Sequence, residues 1–140
     1  MKNKMNFTEK QQNAFNEYLN GQNIFITGSG GCGKSYFIKC IYDHAISNQK
    51  NIKVTSLTGC SAILLNCNAT TIHKWGSLGL AKGEEFDIYT KIIKMKRKDN
   101  YLNTDILVID EVSMLNQKVF ELLDYLCKKI HNFLGWKLRN

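Results

Sequence analysis

Gly28-Ser29-Gly30-Gly31-Cys32-Gly33-Lys34-Ser35 is the stretch on which the fold turns. It matches the spacing G-x-x-x-x-G-K-[ST], and each residue type in it has a physical job. Residues without Cβ let the backbone wrap around an anion so that successive N–H groups point inward, and a helix starting near Gly33 adds its positive end. Lys34 supplies a compact positive charge for the outer phosphates of a nucleotide, and the Ser35 hydroxyl is placed to bind Mg²⁺. A motif of this length also occurs by chance, so its flanks decide whether it is meaningful.

Before the loop, Asn23-Ile24-Phe25-Ile26-Thr27 is a short β-rich apolar run, expected as a strand. After it, Phe37, Ile38, Ile41 and Ala45 recur as on one helix face. Strand, glycine loop and helix is the context that confirms a phosphate loop. Further upstream, Thr8 to Asn20 reads as a helix, with Thr8 as N-cap, Gln11 as its capping-box partner and Gly21 as the stop. Its apolar positions are Ala14, Phe15, Tyr18 and Leu19.

Downstream the pattern repeats. Ile52 to Ser56 reads as a strand and Ser61 to Leu65 as a short helix, followed by a loop-rich stretch from Thr71 to Gly83. Glu84 to Lys98 reads as a helix with Phe86, Ile88, Tyr89, Ile92, Ile93 and Met95 toward the core, and a basic cluster of Lys91, Lys94, Lys96, Arg97 and Lys98. That cluster is more economically a solvated face than a DNA groove. Asp105 to Asp110 reads as the clearest buried strand, and Val119, Leu122, Leu123, Leu126 and Ile130 as the stripe of a closing helix. Alternating strands and helices argue for a parallel sheet covered by helices.

The second candidate site is Asp110-Glu111, at the end of that apolar strand, where open α/β sheets present ligands to the carboxyl ends of their strands. Two acids alone are only a polar strand end. Downstream of a phosphate loop, Asp110 is expected to hold Mg²⁺ and Glu111 to orient and deprotonate an attacking water.

Bulk properties agree without deciding. The 140 residues amount to one domain with a real core, and 44% hydrophobic and 22% charged residues are ordinary for a globule. A net charge of +7 favours polyanionic partners. Five cysteines (Cys32, Cys40, Cys60, Cys67 and Cys127) without a C-x-x-C pair indicate neither a zinc site nor a disulfide framework, and point to a reduced, intracellular, soluble protein. No signal peptide or membrane span is recognisable.

Four blocks in order resemble the PIF-type DNA helicases of superfamily one, relatives of the RecD helicases. They are Phe7 to Phe15, the loop with its lead-in, Thr58-Gly59-Cys60-Ser61-Ala62 with Thr71-Ile72-His73, and Ile109 to Met114; the likeness runs from about Phe7 to Ile130. The resemblance implies a three-layer α/β fold, a RecA-like P-loop domain with a parallel sheet, incomplete in this chain. It implies ATP and Mg²⁺ as cofactors, single-stranded DNA as partner, and 5′-to-3′ translocation. It makes Gln11 the adenine reader, a role that competes with capping Thr8. It makes Thr58, Gly59, Thr71 and His73 DNA contacts. Cys32 departs from the threonine usual at its place, which leaves phosphate binding to the backbone and makes the loop either oxidisable or simply packed there.

Two features of the family are expected to be missing: a Gly-Asp-x-x-Gln-Leu-Pro-Pro-like block, and a second RecA-like domain with arginine fingers. Loss of such a finger costs about 10³ to 10⁵ in turnover, so poor hydrolysis and no unwinding are expected of the chain alone, with a second polypeptide as the conceivable source of the rest. The absent strand belongs between the loop strand and the Asp110 strand. Each buried ladder group left unpaired costs roughly 1 kcal/mol or more, so marginal solubility is expected. Phe133 to Leu138 is a poor substitute because of Gly135. Two other readings stay open: a non-catalytic nucleotide- or DNA-binding remnant of a split gene, and another kind of P-loop ATPase.

Overall fold

The computed structural model describes residues 6–133, and the chain divides into two compact units, Met1–Gln49 and Lys50–Asn140. In the N-terminal unit, α1 (Glu9–Leu19) is started by Thr8, whose hydroxyl accepts the Gln11 N–H while the Gln11 side chain accepts the Thr8 N–H. Both halves of the expected capping box are therefore formed. The second helix, α2 (Lys34–Ser47), buries Phe37, Ile38, Cys40, Ile41 and Ala45. The unit's core is aromatic: Phe15 lies 5.3 Å from Phe7, 5.4 Å from Tyr18 and 5.4 Å from the His44 ring between centroids, and the Tyr18 hydroxyl meets His44 Nδ1 at 3.1 Å. Burial raises the Tyr18 hydroxyl above its ordinary pKa.

The expected strand over Asn23 to Thr27 does not form, and Phe25 is 77% exposed. A strand is a property of a pair, and among the described residues this segment has no ladder partner.

The C-terminal unit holds a parallel sheet in the order β2-β1-β3, made of β1 (Ile52–Ser56), β2 (Thr70–Thr71) and β3 (Ile106–Ile109). Register runs from Ile52 against Ile106 to Thr55 against Ile109, with Thr55 and Ser56 against Thr70 and Thr71 on the other side. Between β1 and β2 lies α3 (Gly59–Leu65). The stretch read as loop from Thr71 to Gly83 instead carries the end of β2 and α4 (Ile72–Trp75), a single turn too short for any periodicity to announce. The basic helix α5 covers Glu85–Lys94, not the whole of Glu84 to Lys98, because the chain turns through Lys96 at φ 53°. Its core face is narrower than expected: Ile88 and Ile92 are buried, while Phe86 and Met95 are exposed. A short turn α6 (Asp99–Leu102) precedes β3, and α7 (Gln117–Phe133) closes the unit. The filler expected over Phe133 to Leu138 starts on the last residue of α7 and otherwise lies outside the described residues.

Ile72 and Trp75 of α4, Ile88 and Ile92 of α5, Tyr101 of α6 and Leu122, Leu123, Leu126 and Ile130 of α7 form one core, against which Leu107 and Ile109 of β3 pack. Leu107 and Ile109 alternate onto the same face, as strand geometry requires. β3 itself is half-buried throughout rather than buried, because among the described residues it pairs with β1 alone and forms an edge of the sheet.

Two buried hydroxyls at the end of β1 fare differently. Thr55 Oγ1 donates to the Val108 carbonyl at 2.7 Å, whereas Ser56 Oγ has no partner among the described residues. Removing the satisfied hydroxyl by Thr55→Val should lower unfolding stability by about 0.5–1.5 kcal/mol, while Ser56→Ala should leave it unchanged or raise it by up to about 1 kcal/mol. Urea midpoints at constant slope measure both. Equal losses in the two variants would refute the assignment.

Candidate functional site

The phosphate-loop region of the N-terminal unit is shaped by backbone geometry that side chains resist. Gly31 has φ 76° and Gly33 φ 88°, and Gly33 is the N-cap of α2 with no side-chain cap on the helix. The first N–H groups of α2 are thus left facing the loop without a protein side chain competing for them, the arrangement helix termini use to hold anions. Gly28, Ser29, Gly30, Gly31, Cys32 and Ser35 are exposed, and Gly33 and Lys34 half-buried.

Lys34 Nζ donates to the Gly28 carbonyl at 2.7 Å and the Ser29 carbonyl at 2.9 Å, and stands 3.5 Å from Cys32 Sγ. The ammonium is therefore held at the loop by carbonyls rather than by a carboxylate. Among the described residues no carboxylate pairs with it. Cys32 faces Lys34 across this loop, and a Cβ built on Gly28 would lie 2.6 Å from its sulfur. A side chain at position 28 would therefore force the Cys32 sulfur to move.

Gln11 makes the expected cap and a second contact with different atoms. Oε1 accepts the Thr8 N–H at 3.0 Å for the cap, while Nε2 donates to the Cys32 carbonyl at 3.4 Å. The cap of α1 therefore delivers an amide to the phosphate loop.

In the C-terminal unit, the half-buried Asp110 is fixed at the end of β3 by its N–H on the Thr55 carbonyl, 2.8 Å away. The next residue, Glu111, adopts φ 56° and caps a 3-10 turn over Val112–Met114, with its carbonyl accepting the Met114 N–H at 2.9 Å. The exposed Glu111 side chain accepts a hydrogen bond from Ser61 Oγ at 2.9 Å. Thr58, N-cap of α3, donates to that same Ser61 Oγ at 2.8 Å. Thr58 and Glu111 are thus brought together through Ser61, a residue that sequence reasoning placed on a helix but gave no role. Nothing local signals a contact spanning 50 positions.

Gly59 is the exposed first residue of α3. Thr71 is the N-cap of α4 and accepts the Lys74 N–H at 3.2 Å, with His73 half-buried on the same turn. This turn is held from behind: Asn100 donates to the Trp75 carbonyl at 2.8 Å and the Tyr101 hydroxyl to the Gly76 carbonyl at 2.7 Å. Burial, aided by the Cys127 thiol, holds the Tyr101 hydroxyl protonated far above its usual range, so it remains a donor. Cys127 is itself pushed up to about 11 by burial and by Asp124. A cleft of about 350 Å³ opens beside this turn, lined by His73, Lys74, Lys91 and Arg97 among others. Lys91 and Arg97, read as part of a solvated face, therefore share a concave surface with His73.

Comparison with known proteins places these features in a family context. A family model described as PIF1-like helicase matches residues 6–135. The ATP-dependent DNA helicase PIF1 of Saccharomyces cerevisiae is 33% identical over 126 residues, covering 88% of this chain and 14% of that protein. Its namesake in Emericella nidulans is 38% identical over 117 residues, covering 80% of this chain and 15% of that protein. The chain thus spans about one seventh of the length of these relatives. The crystal structure of the Pif1 helicase from Candida albicans matches with a TM-score of 0.81 at 27% identity, over 92% of this chain and 30% of that one. The α/β, RecA-like fold class expected from the sequence stands.

The Gly28 and Cys32 contact can be tested by itself. Gly28→Ala should destabilise the chain by roughly 1 kcal/mol through overpacking against the sulfur. Adding Cys32→Ala, which deletes the clashing atom, should recover most of that loss in a double-mutant cycle read by thermal unfolding. Additive effects would show that the two positions do not touch.

Proposed function

The chain belongs to the PIF1-like helicase family, and on that premise we propose that it is the nucleotide-binding part of a DNA helicase that couples ATP hydrolysis to 5′-to-3′ movement along single-stranded DNA. The observation that carries this reading is the phosphate loop: glycines at positive φ, an α2 N-terminus without a side-chain cap, and a lysine whose ammonium is held by the Gly28 and Ser29 carbonyls. This is a cradle for a polyphosphate and fits ATP.

In this proposal the backbone N–H groups from Gly28 to Ser35 bind the phosphates. Lys34 exchanges its carbonyl partners for phosphate oxygens, and Gln11 presents its amide to the adenine. Mg²⁺, when bound, neutralises charge on the transferred phosphoryl group, with Ser35 and Asp110 as the residues to hold it. Glu111 orients the attacking water and accepts its proton. Lys34, Asp110 and Glu111 are the catalytic residues. Thr58, Gly59, Thr71 and His73 are the contacts to DNA, and the basic cleft beside His73 supports a polyanion passing there. The relatives named ATP-dependent DNA helicases support ATP and DNA as the two ligands. A second polypeptide or further domain would supply the arginine finger.

Equilibrium binding with a fluorescent ATP analogue is the test. Lys34→Ala should weaken binding at least tenfold, Gln11→Ala should narrow the preference for ATP over GTP, and Glu111→Gln should leave binding intact while removing any turnover stimulated by oligothymidylate. Binding that Lys34→Ala leaves unchanged would sink the reading. Binding without DNA-stimulated turnover in the wild-type chain would favour the non-catalytic alternative.

A further inference from the structure

Glu111 is the residue whose side chain must be free to act, yet its carboxylate is already engaged. Its backbone is fixed by the positive φ of 56° and by the 3-10 turn that its carbonyl begins, so only the side chain can move. That side chain is tethered by the Ser61 hydroxyl at 2.9 Å, and Ser61 Oγ in turn accepts the Thr58 hydroxyl proton at 2.8 Å. The direction of every bond is determined. A carboxylate can only accept, so Ser61 donates its one proton to Glu111, and the proton between the two hydroxyls must come from Thr58.

Thr58 performs two separable tasks. Its oxygen lone pair accepts the Ser61 N–H at 3.2 Å and caps α3, while its proton feeds the relay. The proton can therefore turn away without uncapping the helix. Thr58 is exposed and Ser61 half-buried, so an acceptor from solution reaches the first member of the chain more readily than the second.

We propose that Ser61 is a positioning residue that holds Glu111 in a resting orientation, and that the Thr58-Ser61-Glu111 chain couples a phosphate of single-stranded DNA arriving at Thr58 to release of that carboxylate. The inference rests on the ATPase and DNA-binding reading and adds its regulation. A phosphate oxygen competes for the single Thr58 proton. Once the Thr58 hydroxyl turns its proton to the phosphate, Ser61 Oγ is no longer polarised by a donor, its own bond to Glu111 weakens, and the carboxylate is free to turn toward water. Nothing covalent changes, and only hydrogen-bond partners are exchanged.

The test uses the full chain and its Ser61→Ala and Ser61→Thr variants, with two readouts. The first is the ¹³C resonance of the Glu111 side-chain carboxyl, assigned by its disappearance in Glu111→Gln. Ser61→Ala should move it toward the position of the exposed glutamates. Oligothymidylate should move it the same way in the wild type and in Ser61→Thr, but have no further effect in Ser61→Ala. The second is steady-state ATP turnover: Ser61→Ala should raise the DNA-free rate several-fold and lower the DNA stimulation ratio by a similar factor, with KM for ATP unchanged and Ser61→Thr restoring wild-type behaviour. A Glu111 resonance indifferent to Ser61→Ala, or an unchanged stimulation ratio, overturns the proposal. If no variant hydrolyses ATP the ATPase reading fails, while the carboxyl resonance still decides whether Ser61 holds Glu111 and whether DNA releases it.

Discussion

The parallel ladder between β1 and β3 determines what the C-terminal unit can offer to chemistry. Its register sets Thr55 opposite Ile109, and the next ladder bond, from the Asp110 N–H to the Thr55 carbonyl, fixes where β3 stops and the acidic pair begins. The same strand β1 runs out at Ser56 and delivers Thr58 to the start of α3. Two segments far apart in sequence therefore end side by side, and Ser61 meets Glu111. A slip of one residue in this register would turn Leu107 and Ile109 out of the core and carry Glu111 away from Ser61. Packing of the half-buried Leu107 and Ile109 against the core is what makes such a slip costly.

In the N-terminal unit the corresponding constraint lies in the backbone rather than in a ladder. Gly31 and Gly33 occupy left-handed conformations that other residues tolerate poorly, and the Lys34 ammonium ties the start of the loop to the start of α2 through the Gly28 and Ser29 carbonyls. The cap of α1 adds a further tie through Gln11 to the Cys32 carbonyl. Local helix chemistry and the candidate ligand site share atoms here. Capping uses the Gln11 Oε1 acceptor and leaves Nε2 to donate to the Cys32 carbonyl, so the cap and the contact with the loop do not compete.

What the sequence disclosed follows from which interactions are local. The helices α1, α2 and α7 were legible because their apolar positions repeat at helical spacing and, in α1, because the capping box lies within four residues. The strand β1 was legible to the residue because it is short, β-rich and buried. The segment Asn23 to Thr27 is also short and β-rich but forms no strand, since pairing depends on a partner that composition does not reveal. β3 looked fully buried from its apolar run, and its half-exposure is the mark of an edge position that only topology sets. The loop and the acidic pair could be read as motifs. The bonds from Thr58 through Ser61 to Glu111, and the cleft that joins His73 to Lys91 and Arg97, arise from long-range packing and leave no local trace.

If the backbone from Gly28 to Ser35 is a nucleotide cradle, its amide resonances must respond to an ATP titration with Mg²⁺. Saturable shifts are expected, concentrated on the amides of Gly30 to Ser35 and on the Gln11 side chain, with the Lys34 ammonium changing partners over the same range. Shifts that fail to saturate, or that fall elsewhere and leave this loop untouched, would contradict the cradle.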